Sequence, residues 1–216
     1  MNEGDSLVVV HPEQRAYRAV VESINETITC SLQEELPENN ELPQEVTVVQ
    51  ALGKGDKVEW VIQKSTELGV SRIIPFQAEH SVVKWDHKKQ EKKKARFEKI
   101  AKEAAEQSER LKLPEVTSTL SIKEVVKETE SYDFRLFAYE QEARQGANRK
   151  LSEFLKEIAP GTKVCIVIGP EGGFSSKEAE LLDESGFQAV RLGGRILRME
   201  TAPLYFLSAL SYQWEE

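Results

Sequence analysis

Cysteine and histidine are scarce in this chain: two and three among 216 residues. Cys30 and Cys165 lie far apart without metal-ligand spacing. Neither a disulfide framework nor a thiolate metal site is expected, which fits a reducing cytoplasm. With His11, His80 and His87 the only imidazoles, a histidine-built metal centre is not expected either. No apolar run is long enough to span a bilayer, and no signal-peptide pattern opens the chain. There is no G-x-G-x-x-G and no G-x-x-x-x-G-K-[ST]. That argues against a standard dinucleotide-binding turn and a P-loop.

Hydrophobic residues make up 39% of the chain, enough for a sizeable core, and charged residues 31%. The length suits one large or two small domains. The net charge of −8 speaks against nucleic acid, because phosphate contacts need Lys and Arg. Its distribution matters more than its sum. Residues 84–102 hold nine basic and three acidic side chains, a net +6. Residues 1–45 hold two basic and ten acidic ones, a net −8. By itself, the basic stretch reads first as a solvated helix face.

Leu7 to Val10, Ala16 to Ile24 and Thr27 to Leu32 read as short strands, with a turn at His11-Pro12. The acidic, twice proline-punctuated run from Glu34 to Pro43 reads as a linker, and a domain boundary is placed near residue 43. Beyond it, strands and helices alternate. Strands are expected at Val46–Ala51, Arg72–Phe76 (stopped by Pro75), Phe134–Tyr139, Lys163–Ile168 and Ala189–Leu192. Helices are expected at Val58–Leu68 with Gly69 as cap, Lys88–Ser108, Ile122–Lys127, Leu151–Ile158, Lys177–Ser185 and Thr201–Trp214. This order predicts an α/β domain with a mostly parallel sheet covered on both faces.

Two glycine-bearing segments follow strands directly and lead into helices: Val167 to Phe174 and Leu192 to Ala202. Loops at strand ends are where α/β sheets place ligands, so the two predict one shared pocket. Upstream lie Lys54-Gly55-Asp56-Lys57, Gln63-Lys64-Ser65-Thr66-Glu67-Leu68-Gly69-Val70, Ile73-Ile74-Pro75, Glu79-His80-Ser81 and Ala105 to Arg110. Together these segments resemble the SPOUT methyltransferases, most of all the RsmE family of 16S ribosomal RNA uridine-N3 methyltransferases. The resemblance covers roughly residues 45 to 214.

The resemblance implies a SPOUT methyltransferase domain over residues 44–216 with a deep C-terminal trefoil knot around the 168–205 loops. It implies a PUA-like β-barrel RNA-binding domain for residues 1–43. Met1 to Asp5 resemble the middle of such a barrel, so that barrel is expected to be N-terminally incomplete. The implied cofactor is S-adenosylmethionine, held by three loops. The first holds Ala138, Tyr139 and Glu140. The second holds Ile168, Gly169, Pro170, Glu171, Gly172 and Gly173. The third holds Leu192, Gly193, Gly194, Ile196, Leu197, Met199, Thr201 and Ala202. Ordinary burial also explains many of the apolar members.

Methylation at uridine N3 requires loss of the N3 proton. A general base, or a cation that stabilises the resulting anion, meets that need. Arg198 is the candidate nearest the chemistry, and Glu171 and Glu200 compete as helper or proton acceptor. A structural Arg–Glu pair is the rival explanation for these charges. The family partner is 16S ribosomal RNA in the small subunit, which turns the basic stretch into a candidate phosphate-tracking surface. Lys84, Lys92, Lys93, Lys94, Gln107 and Arg110 are its RNA-side candidates. His80 stands where relatives usually carry Arg. Lys64 and Glu67 fit a helical ion pair. A homodimer is implied, with the closing helix (Leu204, Phe206, Leu207, Leu210, Trp214) as an interface element. Two rival functions remain open: a ribose 2′-O-methyltransferase, and a non-catalytic protein that binds an adenine-containing ligand or RNA.

Overall fold

The computed structural model describes residues 1–37, 39–139 and 149–215. The chain divides into two compact units. One comprises Met1–Glu41 with Glu109–Lys112; the other comprises Leu42–Ser108 with Leu113–Glu216.

The smaller unit is an antiparallel sheet of β1 (Ser6–His11), β2 (Arg15–Ile24) and β3 (Ile28–Leu36), in that order. Here the linker expectation needs correction. Glu34, Glu35 and Leu36 belong to β3, opposite Arg18, Tyr17 and Ala16. Arg18 pairs with Glu34 at 3.7 Å and Arg15 with Glu35 at 3.6 Å. Cross-strand ion pairs thus give an acidic run a reason to be a strand. The returning segment is held by Glu41, which accepts from Arg110 Nη2 at 2.5 Å and from the Leu111 and Lys112 N–H groups.

The larger unit is built on a sheet in the order β6-β5-β4-β10-β8-β11-β9. These strands are β4 (Glu45–Ala51), β5 (Arg72–Gln77), β6 (Glu115–Val116), β8 (Phe134–Ala138), β9 (Arg149–Lys150), β10 (Lys163–Ile168) and β11 (Gln188–Arg191). The short β7 (Leu120–Ser121) also pairs with β5. Every described pairing in this sheet is parallel. β4 and β10 are nearly continuous apolar runs because both of their faces are covered. On one face Val46, Val48, Ile166 and Ile168 pack with residues of α1 (Lys57–Glu67), α2 (His87–Gln107) and α6 (Thr201–Glu215). On the other, Val49, Ala51, Cys165 and Val167 pack with α3 (Ile122–Glu128) and α5 (Ser176–Glu184). Burial pushes the Cys165 thiol up to about 12, so it is a core side chain and not a nucleophile.

Local signals place the helix ends. After α1, the Gly69 and Val70 N–H groups bond the Thr66 and Ser65 carbonyls, the pairing that closes many helices. Ser121 with Glu124, and Ser175 with Glu178, form capping boxes at α3 and α5. Lys64 and Glu67 form the expected i, i+3 pair at 2.8 Å. Two expectations differ from the structure. Pro75 does not stop β5, because its missing N–H faces the gap between β6 and β7. The Ile73 carbonyl, two residues earlier, bonds Thr117 on that side, and the strand pairs again at Leu120. The expected 151–158 helix is a single turn, α4 (Leu151–Phe154), followed by turns that lead into Pro160 and Gly161.

β4 connects through α1 to β5 on one side and has β10 as its neighbour on the other. Strand order reverses there, and α/β sheets open a crevice at such a point. The loops after β4, β8, β10 and β11 all leave the same edge. No helix among the described residues is long and apolar enough to cross a membrane.

Candidate functional site

Three of those loops touch one another. Gly53 follows β4, and a Cβ there would lie 2.9 Å from Met199 Sδ and Cε. A side chain at Gly53 would displace the end of the Met199 side chain from its seat against the loop after β4. Met199 is buried against this face of the sheet, with Leu192 and Ala202.

The loop after β10 runs through Gly169, Pro170, Glu171, Gly172 and Gly173 to Phe174. Its turn is closed by the Gly173 N–H on the Pro170 carbonyl. Phe174 anchors the loop, stacked on Phe76 and edge-on to Phe137 and Tyr139. His80 contributes a second contact: its Nδ1 lies 3.3 Å from the Gly173 carbonyl. Tyr139 is thus half-buried in an aromatic cluster, beside the half-buried Ala138 at the end of β8. Glu140 lies outside the described residues.

The loop after β11 is different. Leu192 is buried and the Gly193 carbonyl accepts from Arg191 Nε at 2.9 Å. Gly193 has φ +80, and a Cβ there would lie 3.2 Å from the Tyr205 hydroxyl. Gly194, Arg195, Ile196 and Arg198 are exposed, Ile196 to 65%. Leu197 is half-buried and Thr201 exposed. The Arg198 side chain makes no ion pair or hydrogen bond with a described residue. Its carbonyl accepts the N–H groups of Thr201 and Ala202 and so begins α6.

One cation joins the two loops. Lys57 Nζ donates to Glu171 Oε1 at 3.0 Å and lies 3.5 Å from Glu200 Oε2. The three side chains are 33%, 32% and 17% exposed. Glu200 Oε2 is buried, and Lys57 is the only cation close to it among the described residues. Burial would raise the Glu171 carboxyl. The hydrogen bond from Lys57, with the N–H groups of Glu171 and Lys54, outweighs that and holds it below the ordinary 4.5. The hydrogen bond to Glu171 likewise holds the Lys57 ammonium above its ordinary value. Sequence reasoning assigned Lys57 no role. One signal was available: Lys57 opens α1, where the helix dipole disfavours a cation.

The structure sorts the basic candidates. Lys93 and Arg96 both reach Glu59 of α1, at 2.8 and 2.6 Å. Lys93 also lies near the Trp85 and Phe97 rings. Lys94, Lys99 and Lys102 pair along the helix with Glu98, Glu103 and Glu106. Lys84, Lys88, Lys89 and Lys92 are exposed without an ion pair among the described residues. Gln107 lines a cleft of about 490 Å³ with Trp60, Gln63 and Ile100. Arg110 is only 5% exposed, and its guanidinium is engaged with Glu41 inside the smaller unit. That geometry makes Arg110 a structural residue there rather than a surface contact.

Known proteins resemble this chain over its whole length. The RNA methyltransferase domain family matches residues 40–211. The ribosomal RNA small subunit methyltransferase E of Bacillus subtilis is 44% identical over 216 residues, all of this chain and 84% of that protein. A putative methyltransferase of Legionella pneumophila, solved with bound S-adenosylmethionine, is 31% identical with a TM-score of 0.84; the match covers 98% of this chain and 84% of that one. The ribosomal RNA small subunit methyltransferase E of Neisseria gonorrhoeae, also solved with S-adenosylmethionine, is 29% identical with a TM-score of 0.84, over 99% and 85% of the two chains. This chain therefore belongs to the ribosomal RNA small subunit methyltransferase E family of RNA methyltransferases.

Proposed function

We propose that this protein transfers the methyl group of S-adenosylmethionine to N3 of a uridine in 16S ribosomal RNA of the small subunit. The observation that carries the reading is the meeting of the loops after β4, β10 and β11 at one sheet edge, with Arg198 exposed beside them and unpaired among the described residues. The residues present fit the cofactor. The half-buried Leu197 and the exposed Ile196 offer apolar surface for an adenine ring, over the buried Ile168, Leu192 and Met199. When bound, the cofactor supplies an electrophilic methyl on a sulfonium.

The chain's own residues must hold the base and remove its proton. Arg198 has no ion-pair or hydrogen-bond partner for its side chain among the described residues, and its exposed guanidinium can face the negative charge that develops on the uracil. Glu171 is held ionised by Lys57 and is a correspondingly weak base. Glu200 also faces Lys57, so the two carboxylates compete as helper or proton acceptor.

The same reading includes a trefoil knot around the 168–205 loops and a partial PUA-like barrel in the three-stranded unit. It also includes phosphate contacts from Lys84, Lys88, Lys89 and Lys92, and a homodimer in the cytoplasm. Tyr205 and Tyr212, exposed seven residues apart on α6, support a partner on that helix. The test is single-turnover methyl transfer to small-subunit RNA, followed by mass mapping. A methyl on uracil N3 supports the reading. A methyl on ribose, or no transfer, overturns it.

A further inference from the structure

The structure assigns Lys57 as a positioning residue: a single ammonium that latches the loops after β10 and β11 together through Glu171 and Glu200. The inference rests on the proposed function, because only there do the two loops form one cofactor wall. Three observations carry it.

The first is geometry. The three charges come from three separate elements, the start of α1 and the two loops, and meet within 3.0 and 3.5 Å. All are partly withdrawn from water, where an ion pair is screened less than on an open surface.

The second is cost. A lysine in the first turn of α1 faces the positive end of the helix dipole. Two carboxylates near one point repel each other unless a cation sits between them. Each unfavourable placement is relieved by the other, so the three residues act as a unit. Removing Lys57 would leave Glu171 and the buried Glu200 oxygen facing each other without a counter-charge.

The third is the contrast with other tethers. The loop after β10 has two more anchors, Phe174 and His80. In the loop after β11, Leu197 packs on the core, but Gly194, Arg195, Ile196 and Arg198 are exposed and make no side-chain ion pair or hydrogen bond with a described residue outside their own loop. Leu197 and Met199, by packing, and Lys57, through Glu200, set where that loop begins its return to α6, and Arg198 rides between them.

The experiment compares the full chain with Lys57→Met and Lys57→Arg. Amide hydrogen exchange is measured first, without cofactor. Lys57→Met should speed exchange at residues 192–200 on the order of tenfold, with β4 and β10 unchanged, because only the local opening free energy falls. Lys57→Arg should restore protection, since the guanidinium can span two carboxylates. Calorimetry with S-adenosylmethionine should then give at least tenfold weaker binding for Lys57→Met, and near-parental binding for Lys57→Arg. Unchanged exchange in the loop after β11 in Lys57→Met overturns the latch. So does faster exchange spread evenly over the sheet, which would mark Lys57 as a general stabiliser. If the parent protein bound no S-adenosylmethionine, the functional reading would fall. The exchange result would still decide the latch.

Discussion

The loops after β10 and β11 both carry paired glycines, yet they are built differently. The first is tied down along its length by the Phe174 stack, His80 and Glu171. The second is fixed by Leu192, Leu197 and Met199, with Gly194, Arg195, Ile196 and Arg198 exposed between them. A preformed floor faces a rim whose exposed residues, Arg195, Ile196 and Arg198, have no side-chain hydrogen bond or ion pair among the described residues. Binding surfaces need both properties. A rigid wall lowers the entropy cost of holding a ligand, and unpaired groups give the ligand something to bind.

The sharpest way to break this comparison is at the open rim. Arg198→Ala should lower single-turnover methyl transfer by roughly two to three powers of ten, as expected for loss of one preorganised charge-stabilising donor. S-adenosylmethionine affinity should be nearly unchanged. Lys should rescue only partly, since it lacks the planar fork. Raising the pH should narrow the gap, because more uridine is already deprotonated. Full activity of the variant at neutral pH would remove Arg198 from the mechanism.

A smaller effect is expected where the rim leaves the sheet. Gly193→Val meets both a positive φ and the Tyr205 hydroxyl. Binding of S-adenosylmethionine should weaken at least tenfold, about 1.4 kcal/mol. Unchanged affinity in a folded variant would mean that this turn lies outside the pocket.

The same division into engaged and free groups recurs along α2 and can be tested there. Reversing Lys88, Lys89 and Lys92 to Glu should weaken binding to small-subunit RNA and flatten its salt dependence. Reversing Lys94, Lys99 and Lys102, each already paired, should change the salt slope less. Equal slopes for the two triple variants would return the whole helix face to solvent.

The smallest effect concerns acid. Glu171 has its carboxyl depressed below 4.5 by Lys57. A depressed carboxyl contributes above its unfolded value and fails as pH falls through its folded value. Between pH 7 and 5, Glu171 therefore stays ionised, and its contribution to cofactor affinity should be flat. In Lys57→Met the acid limb should move upward, into the ordinary carboxylate range. An acid limb unmoved by that substitution would detach Glu171 from Lys57.

The parallel strands were legible because burial on both faces leaves an unbroken apolar run. The expected limits of the strand at 163–168 match those observed. The two-residue strands β6, β7 and β9 carry no period to read. Glu34 and Glu35 misled because polarity alone does not reveal Arg15 and Arg18 across the sheet. At the site, the glycines were legible from their position after strands. The use of the charges was not. Lys57 finds Glu171 and Glu200 more than a hundred residues away, and Lys93 finds Glu59 across two helices. A lysine engaged by a distant carboxylate and one left in water look the same in a sequence.

The start of α6 has a mechanical consequence. Because the Thr201 and Ala202 N–H groups both hold the Arg198 carbonyl, that residue's backbone is welded to a rod of fifteen residues, roughly 22 Å long. A push at the Tyr212 end turns the other end. Substitutions out there, remote from the glycines, would then surface as altered turnover with intact cofactor affinity.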